Sequence, residues 1–130
     1  MREQDNKLRA PHLKLGQIGE ELVVEFLEMT QHEILERNWR SGRAEIDIIA
    51  RTKDSTLLFI EVKTRSKVDF GLGSQSIGKR KKQLILDAAV IYSELKNHSK
   101  DIRFDVANVI IDAEGEVILE YAPDAFFDEF

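Results

Sequence analysis

Polar and apolar positions follow a helical period in two stretches and a strand period of two in five others. Residues 13–29, LKLGQIGEELVVEFLEM, place Leu15, Ile18, Leu22, Phe26 and Met29 on one stripe and predict a helix. HEILERNWR (32–40) predicts a strand. AEIDIIA (44–50) and TLLFIEVKT (56–64) predict two more, joined by the turn TKDS. Residues 65–76 contain two glycines and predict a loop. A second helix is predicted over 77–97, with Ile77, Leu84, Ala88, Ile91 and Leu95 on its apolar stripe. DIRFDVANVII (101–111) and EVILEYA (116–122) are the last two strands, joined by DAEG. The order is αβββαββ. Three strands, a crossover helix and a further strand imply an α/β fold with a mixed β-sheet flanked by helices. Residues 1–12 read as a flexible tail, and 13–130 as a single domain.

Three charges interrupt the central hairpin. Asp47 lies inside AEIDIIA, and Glu61 and Lys63 lie inside TLLFIEVKT. A buried charge is costly unless it is paired, binds a metal or lines a cleft. Side chains alternate between faces of a strand. Leu57, Phe59, Glu61 and Lys63 then share one face, opposite Leu58, Ile60 and Val62. Glu45, Asp47 and Ile49 share a face in the preceding strand, opposite Ile46 and Ile48. An antiparallel hairpin can therefore place Asp47 beside Glu61 and Lys63. Glu20 sits at the apolar boundary of the first helix, apart from the solvent cluster Glu21, Glu25 and Glu28. Lys81 shares a stripe with Ile77, Leu84, Ile85 and Ala88 and points toward the sheet, while Lys79 and Lys82 point to solvent.

Composition narrows the chemistry. The chain has 130 residues, 42% of them hydrophobic, and no cysteine, which excludes disulfides, a thiol nucleophile and Cys-ligated zinc. No apolar run approaches a membrane span and the N-terminus has no signal-like core, so a cytoplasmic protein without a membrane partner is expected. The three histidines lack ligand spacing, and Trp39 reads as core or core edge. Net charge is −5, but seven acids fall between Asp112 and Glu129, and removing them leaves +2. The remainder carries basic clusters, from which Arg40, Arg43, Arg65, Lys79, Lys81 and Lys82 are the candidate nucleic-acid contacts. Such clusters are more often solvated faces than binding sites. The modest charge favours transient binding, or a homodimer pooling two basic surfaces, over a tight monomeric binder.

Clustered carboxylates suit Mg²⁺ or Mn²⁺. A lysine beside them suits metal-assisted hydrolysis of a phosphodiester. Acid-x-Lys spacing alone is equally a salt-bridge ladder on one strand face. More specific are GQIGEELVVEFL (16–27), ILERNWR (34–40), AEIDIIA (44–50), FIEVKTR (59–65), FG (70–71), the helix with Lys81, RFDV (103–106) and AF (125–126). Through these the sequence closely resembles the YraN-like family of the PD-(D/E)xK, or restriction-endonuclease-like, superfamily. The resemblance runs from about residue 13 to the end. It implies that Asp47 and Glu61 bind the metal, that the Val62 carbonyl adds a ligand and that Glu20 supports it from the helix. It further implies that Lys63 positions the attacking water. Ile46 stands where the superfamily pattern has Pro, and Ala44 where many family members have Gly; neither removes a ligand.

Three functions are consistent with these residues. The leading one is a Mg²⁺-dependent endonuclease acting on nucleic acid, in particular branched or damaged DNA. The second is a non-catalytic nucleic-acid-binding module with a nuclease-like fold. The third is an adaptor whose charge cluster is structural.

Overall fold

A computed structural model describes residues 11–67 and 78–127, with side chains from residue 15 onward. The chain forms α1 (Pro11–Met29), β1 (Glu33–Ser41), β2 (Ala44–Arg51), β3 (Leu57–Ser66), α2 (Lys79–Leu95), β4 (Ile102–Ile111) and β5 (Val117–Ala122). This is the predicted αβββαββ order. The five strands form one sheet in the order β1-β2-β3-β4-β5. Only β3 and β4 run parallel, and the connection between them contains α2. The sheet is therefore mixed, as a helical crossover requires. Residues 11 and 12 already belong to α1, so they are helical and not tail. The loop predicted over 65–76 is corrected at its start, where Arg65 and Ser66 still belong to β3; its residues 68–76, together with residues 1–10 and Ile77, lie outside the described residues. No described helix is long and apolar enough to cross a membrane.

The sheet carries a core on each face. On one face Val23 and Leu27 of α1 pack with Ile48, Ala50, Leu58, Ile60, Ala107 and Val109. On the other, Ile85, Ala88, Ala89 and Tyr92 of α2 pack with Ile46, Ile49, Leu57, Phe59 and Phe104. Trp39 joins this second core edge-on to Tyr92, with ring centroids 5.1 Å apart. Beyond the helix, Phe59, Phe104 and Phe126 stack in sequence, with centroids 5.4 and 6.1 Å apart. The buried Asp105 carboxylate secures this end. It accepts two bonds from Arg103, one from the Tyr121 hydroxyl and one from the Asp124 backbone N–H.

Both helices sit rotated from their predicted stripes. In α1, Ile18 and Met29 are 46% and 83% exposed, and the seam runs through Gly19, Val23 and Leu27. A small residue allows the helix to approach closely there. In α2, Ile91 and Leu95 are exposed and the seam is Lys82, Ile85, Ala88, Ala89 and Tyr92. Ala89 and Tyr92, which lie off the predicted stripe, join Ile85 and Ala88 in that contact.

Candidate active site

β2 and β3 begin as a regular antiparallel pair and then part. Their register runs from Arg51↔Leu57 to Ile48↔Ile60 and stops. Below this point β2 pairs with β1 alone and β3 with β4 alone. Asp47 stands at the parting. Its Oδ2 accepts the Val62 N–H at 2.8 Å, a side chain replacing the lost ladder bond. Within a strand the N–H and C=O of one residue point the same way, so the Val62 carbonyl also opens into the fork.

The strand phase changes at the same place. Ala44 and Ile46 lie in the α2-side core with Ile49, while Ile48 and Ala50 lie in the α1-side core. Strict alternation, which grouped Ile46 with Ile48, fails across Asp47. In the neighbouring strand Asn38 lies between the pairs Arg37↔Ile48 and Trp39↔Ile46 and has φ of +52°. This left-handed conformation is one that asparagine tolerates better than most residues. It turns β1 and β2 in step, and the cleft opens there.

Asp47 and Glu61 face each other across this fork and both line the cleft. Lys81, in the first turn of α2, reaches Glu61 Oε2 at 2.6 Å. Arg43, Ala44, Glu45, Leu84 and Ile85 complete a cleft of about 250 Å³. Burial, then the facing Glu61 carboxyl and its negative charge, push the Asp47 carboxyl up to about 9, against the opposing pull of the Val62 N–H. The Asp47–Glu61 pair therefore retains a proton at neutral pH. Burial works against the Lys81 ammonium, but the bond to Glu61 and the surrounding carboxylates outweigh it and its pKa rises.

The other anticipated residues divide. Glu20 is half-buried beside β1, where burial raises its pKa and Asn38 and Arg37 pull it down. It feels Asp47 electrostatically but does not line the cleft. Among the described residues, no group of three acids or histidines is close enough to hold one ion, so the carboxylates come as a pair. Lys63 lies two residues beyond Glu61 in β3, half-buried and outside the cleft lining. Arg65 is half-buried further along the same strand. Arg43 lines the cleft, Arg40 is bound to Glu45 at 3.2 Å and Lys79 is exposed. Lys82 is corrected: it is 5% exposed, because the α2 seam passes through it, and is not a solvated side chain available to a nucleic acid. Sequence reasoning overlooked Glu45 as part of the site, although its position two residues before Asp47 was a signal. The Lys81–Glu61 ion pair had no local signal, because it joins distant elements.

Residues 19–109 match Uncharacterised protein family UPF0102. The chain belongs to this family. It is the YraN-like family that the sequence resembles, a PD-(D/E)xK nuclease-like family. A UPF0102 protein of Dictyoglomus turgidum is 44% identical over 115 residues, covering 87% of this chain and 97% of its own. One from Flavobacterium psychrophilum is 42% identical over 118 residues, covering 91% and 98%. The UPF0102 match spans Glu20, Asp47, Glu61, Lys63 and Lys81. Among solved structures, Pyrococcus furiosus SfsA in complex with Ca²⁺ gives a TM-score of 0.37 at 14% identity. The alignment covers 84% of this chain but only 62% of SfsA, and the likeness is too distant to bear on function.

Proposed function

We propose that this UPF0102 protein hydrolyses phosphodiester bonds in nucleic acid with the help of Mg²⁺ or Mn²⁺, as an endonuclease acting on branched or damaged DNA. One observation carries the reading: Asp47 and Glu61 are held against each other where β2 and β3 part. A fold gains nothing from two buried carboxylates that must share a proton, and apolar residues would pack there at lower cost. The donor set suits a hard dication, since it offers two carboxylates and the Val62 carbonyl direction, all oxygen. Asp47 and Glu61 would hold the ion, which when bound would polarise the phosphate and acidify a water. Arg43 at the cleft lining would hold the backbone, and Lys63 would orient the attacking water from the same strand face as Glu61. Glu20 would act through its field at Asp47, not as a direct ligand.

A second reading, a nucleic-acid-binding module without catalysis, is favoured by two observations. Glu45 lines the cleft, but among the described residues it does not complete a three-acid ion site with the pair, and Lys63 does not line the cleft. A cleavage panel decides between them. Linear, single-stranded, flapped and four-way DNA and structured RNA are incubated with Mg²⁺ or Mn²⁺. The wild type is expected to cut at least one substrate and Asp47→Ala none. Cleavage that survives Asp47→Ala sinks the assignment. Binding across the panel without cleavage selects the second reading.

A further inference from the structure

We propose that Lys81 is an exchangeable cation, holding Glu61 until a divalent ion takes the fork and then turning to the phosphodiester backbone. This rests on the fork being a divalent-ion site.

Glu61 is the buried partner, with its side chain 8% exposed, whereas the Lys81 side chain is 57% exposed. The ammonium is thus gripped by a carboxylate at 2.6 Å while much of its stem lies in solvent. Lys82, the next residue, is packed into the helix–sheet seam; Lys81 is not. A lysine stem has four flexible carbons and can swing its charge without moving the backbone. The contact it makes is to an oxygen that an ion in the fork requires. Two cations on one carboxylate repel strongly at such distances in a half-buried cleft. Ion loading therefore releases Lys81. Its short tether keeps the freed ammonium at the cleft wall it shares with Arg43, where a backbone phosphate would enter. Ion and backbone binding then become coupled, each tightening the other, since such coupling is reciprocal.

Mn²⁺ titration calorimetry on the full chain tests the exchange, with Lys81→Gln, Lys81→Arg, Arg80→Gln and Asp47→Asn compared with wild type. Lys81→Gln is expected to bind Mn²⁺ about three- to tenfold tighter, because a competing charge is gone. Lys81→Arg, which keeps the pairing, and Arg80→Gln, which removes a neighbouring exposed charge, should stay near wild type. An unchanged Lys81→Gln, or an equal gain in Arg80→Gln, overturns the exchange. Asp47→Asn separates the two ideas. If it binds Mn²⁺ as wild type does, the fork is not the ion site and the functional reading fails. If it loses Mn²⁺ while Lys81→Gln gains nothing, the exchange alone fails. Duplex DNA binding with and without Ca²⁺ tests the second half. Ca²⁺ should tighten binding to wild type more than to Lys81→Gln, and equal tightening refutes the turn to phosphate.

Discussion

Asp47 is the residue at which folding and chemistry oppose each other most clearly. Its carboxyl rises from 3.8 to about 9 in the folded chain, chiefly through burial and Glu61. Between these values the folded state retains a proton that the unfolded state releases. Stability should therefore fall as pH rises from about 4 to about 9. Asparagine mimics the protonated acid: its oxygen can accept the Val62 N–H and its amide can donate to Glu61. In EDTA, Asp47→Asn should match wild type near pH 4 and exceed it at pH 8 by at least about 1 kcal/mol, or about 3–6 °C in Tm. Melting curves across this range check the sign. A variant less stable than wild type at pH 8 would point instead to a structural ion pair.

At the scale of elements, the seating of α1 on β3 depends on Gly19. A Cβ there would overlap the Thr64 hydroxyl and lie 2.8 Å from Thr64 Cβ. The Thr64 hydroxyl is buried without a hydrogen-bond partner among the described residues, so it is held by packing alone. Gly19→Ala would gain about 1 kcal/mol of helix propensity. The overlap should outweigh this, since overpacking costs about 1–3 kcal/mol and here the helix itself must move. A net loss of stability is expected by urea titration. Adding Thr64→Ala should restore part of it, not all, because the Thr64 Cβ position remains crowded. A neutral Gly19→Ala would mean that α1 shifts freely. Glu20, the next residue, is brought beside β1 by the same close approach.

For the whole molecule, the fork makes stability and ion binding one quantity. An ion that binds only the folded chain stabilises it by RT ln(1 + [L]/Kd), about 2.7 kcal/mol at a hundredfold excess over Kd. For a domain of this size that is about 10 °C in Tm. Mn²⁺ at saturating concentration should raise the wild-type melting temperature by roughly this amount and leave Asp47→Ala nearly unmoved. A wild type indifferent to Mn²⁺ and Mg²⁺ would remove the ion from the site. The chain's charge belongs to this scale too. The acids beyond residue 111 oppose a polyanion, so backbone binding should be confined to the α2–β1 side and weaken steeply with salt.

Much of this protein was legible in its sequence because the signals were local. Period-two and helical patterns depend on neighbouring residues, and they placed all seven elements within a few positions. Asp47 and Glu61 stand out as charges inside apolar runs and Glu20 as an acid at an apolar boundary, whereas Lys81, expected to point toward the sheet, reaches Glu61 with a side chain 57% exposed while Lys82 enters the seam. What periodicity could not provide was the rotation of each helix, which follows from where Gly19 and Ala89 let it approach the sheet. Nor could it show which cation meets Glu61. Lys63 is two residues away in sequence, but the ammonium at 2.6 Å is Lys81, twenty residues on. The helix period places Lys82 in solvent, and the rotation of α2 buries it in the seam. The parting of β2 from β3, and the phase change across Asp47 that opens the cleft, involve three strands at once. Such features arise from hydrogen bonds lost and gained between distant segments, and only the tertiary structure decides them.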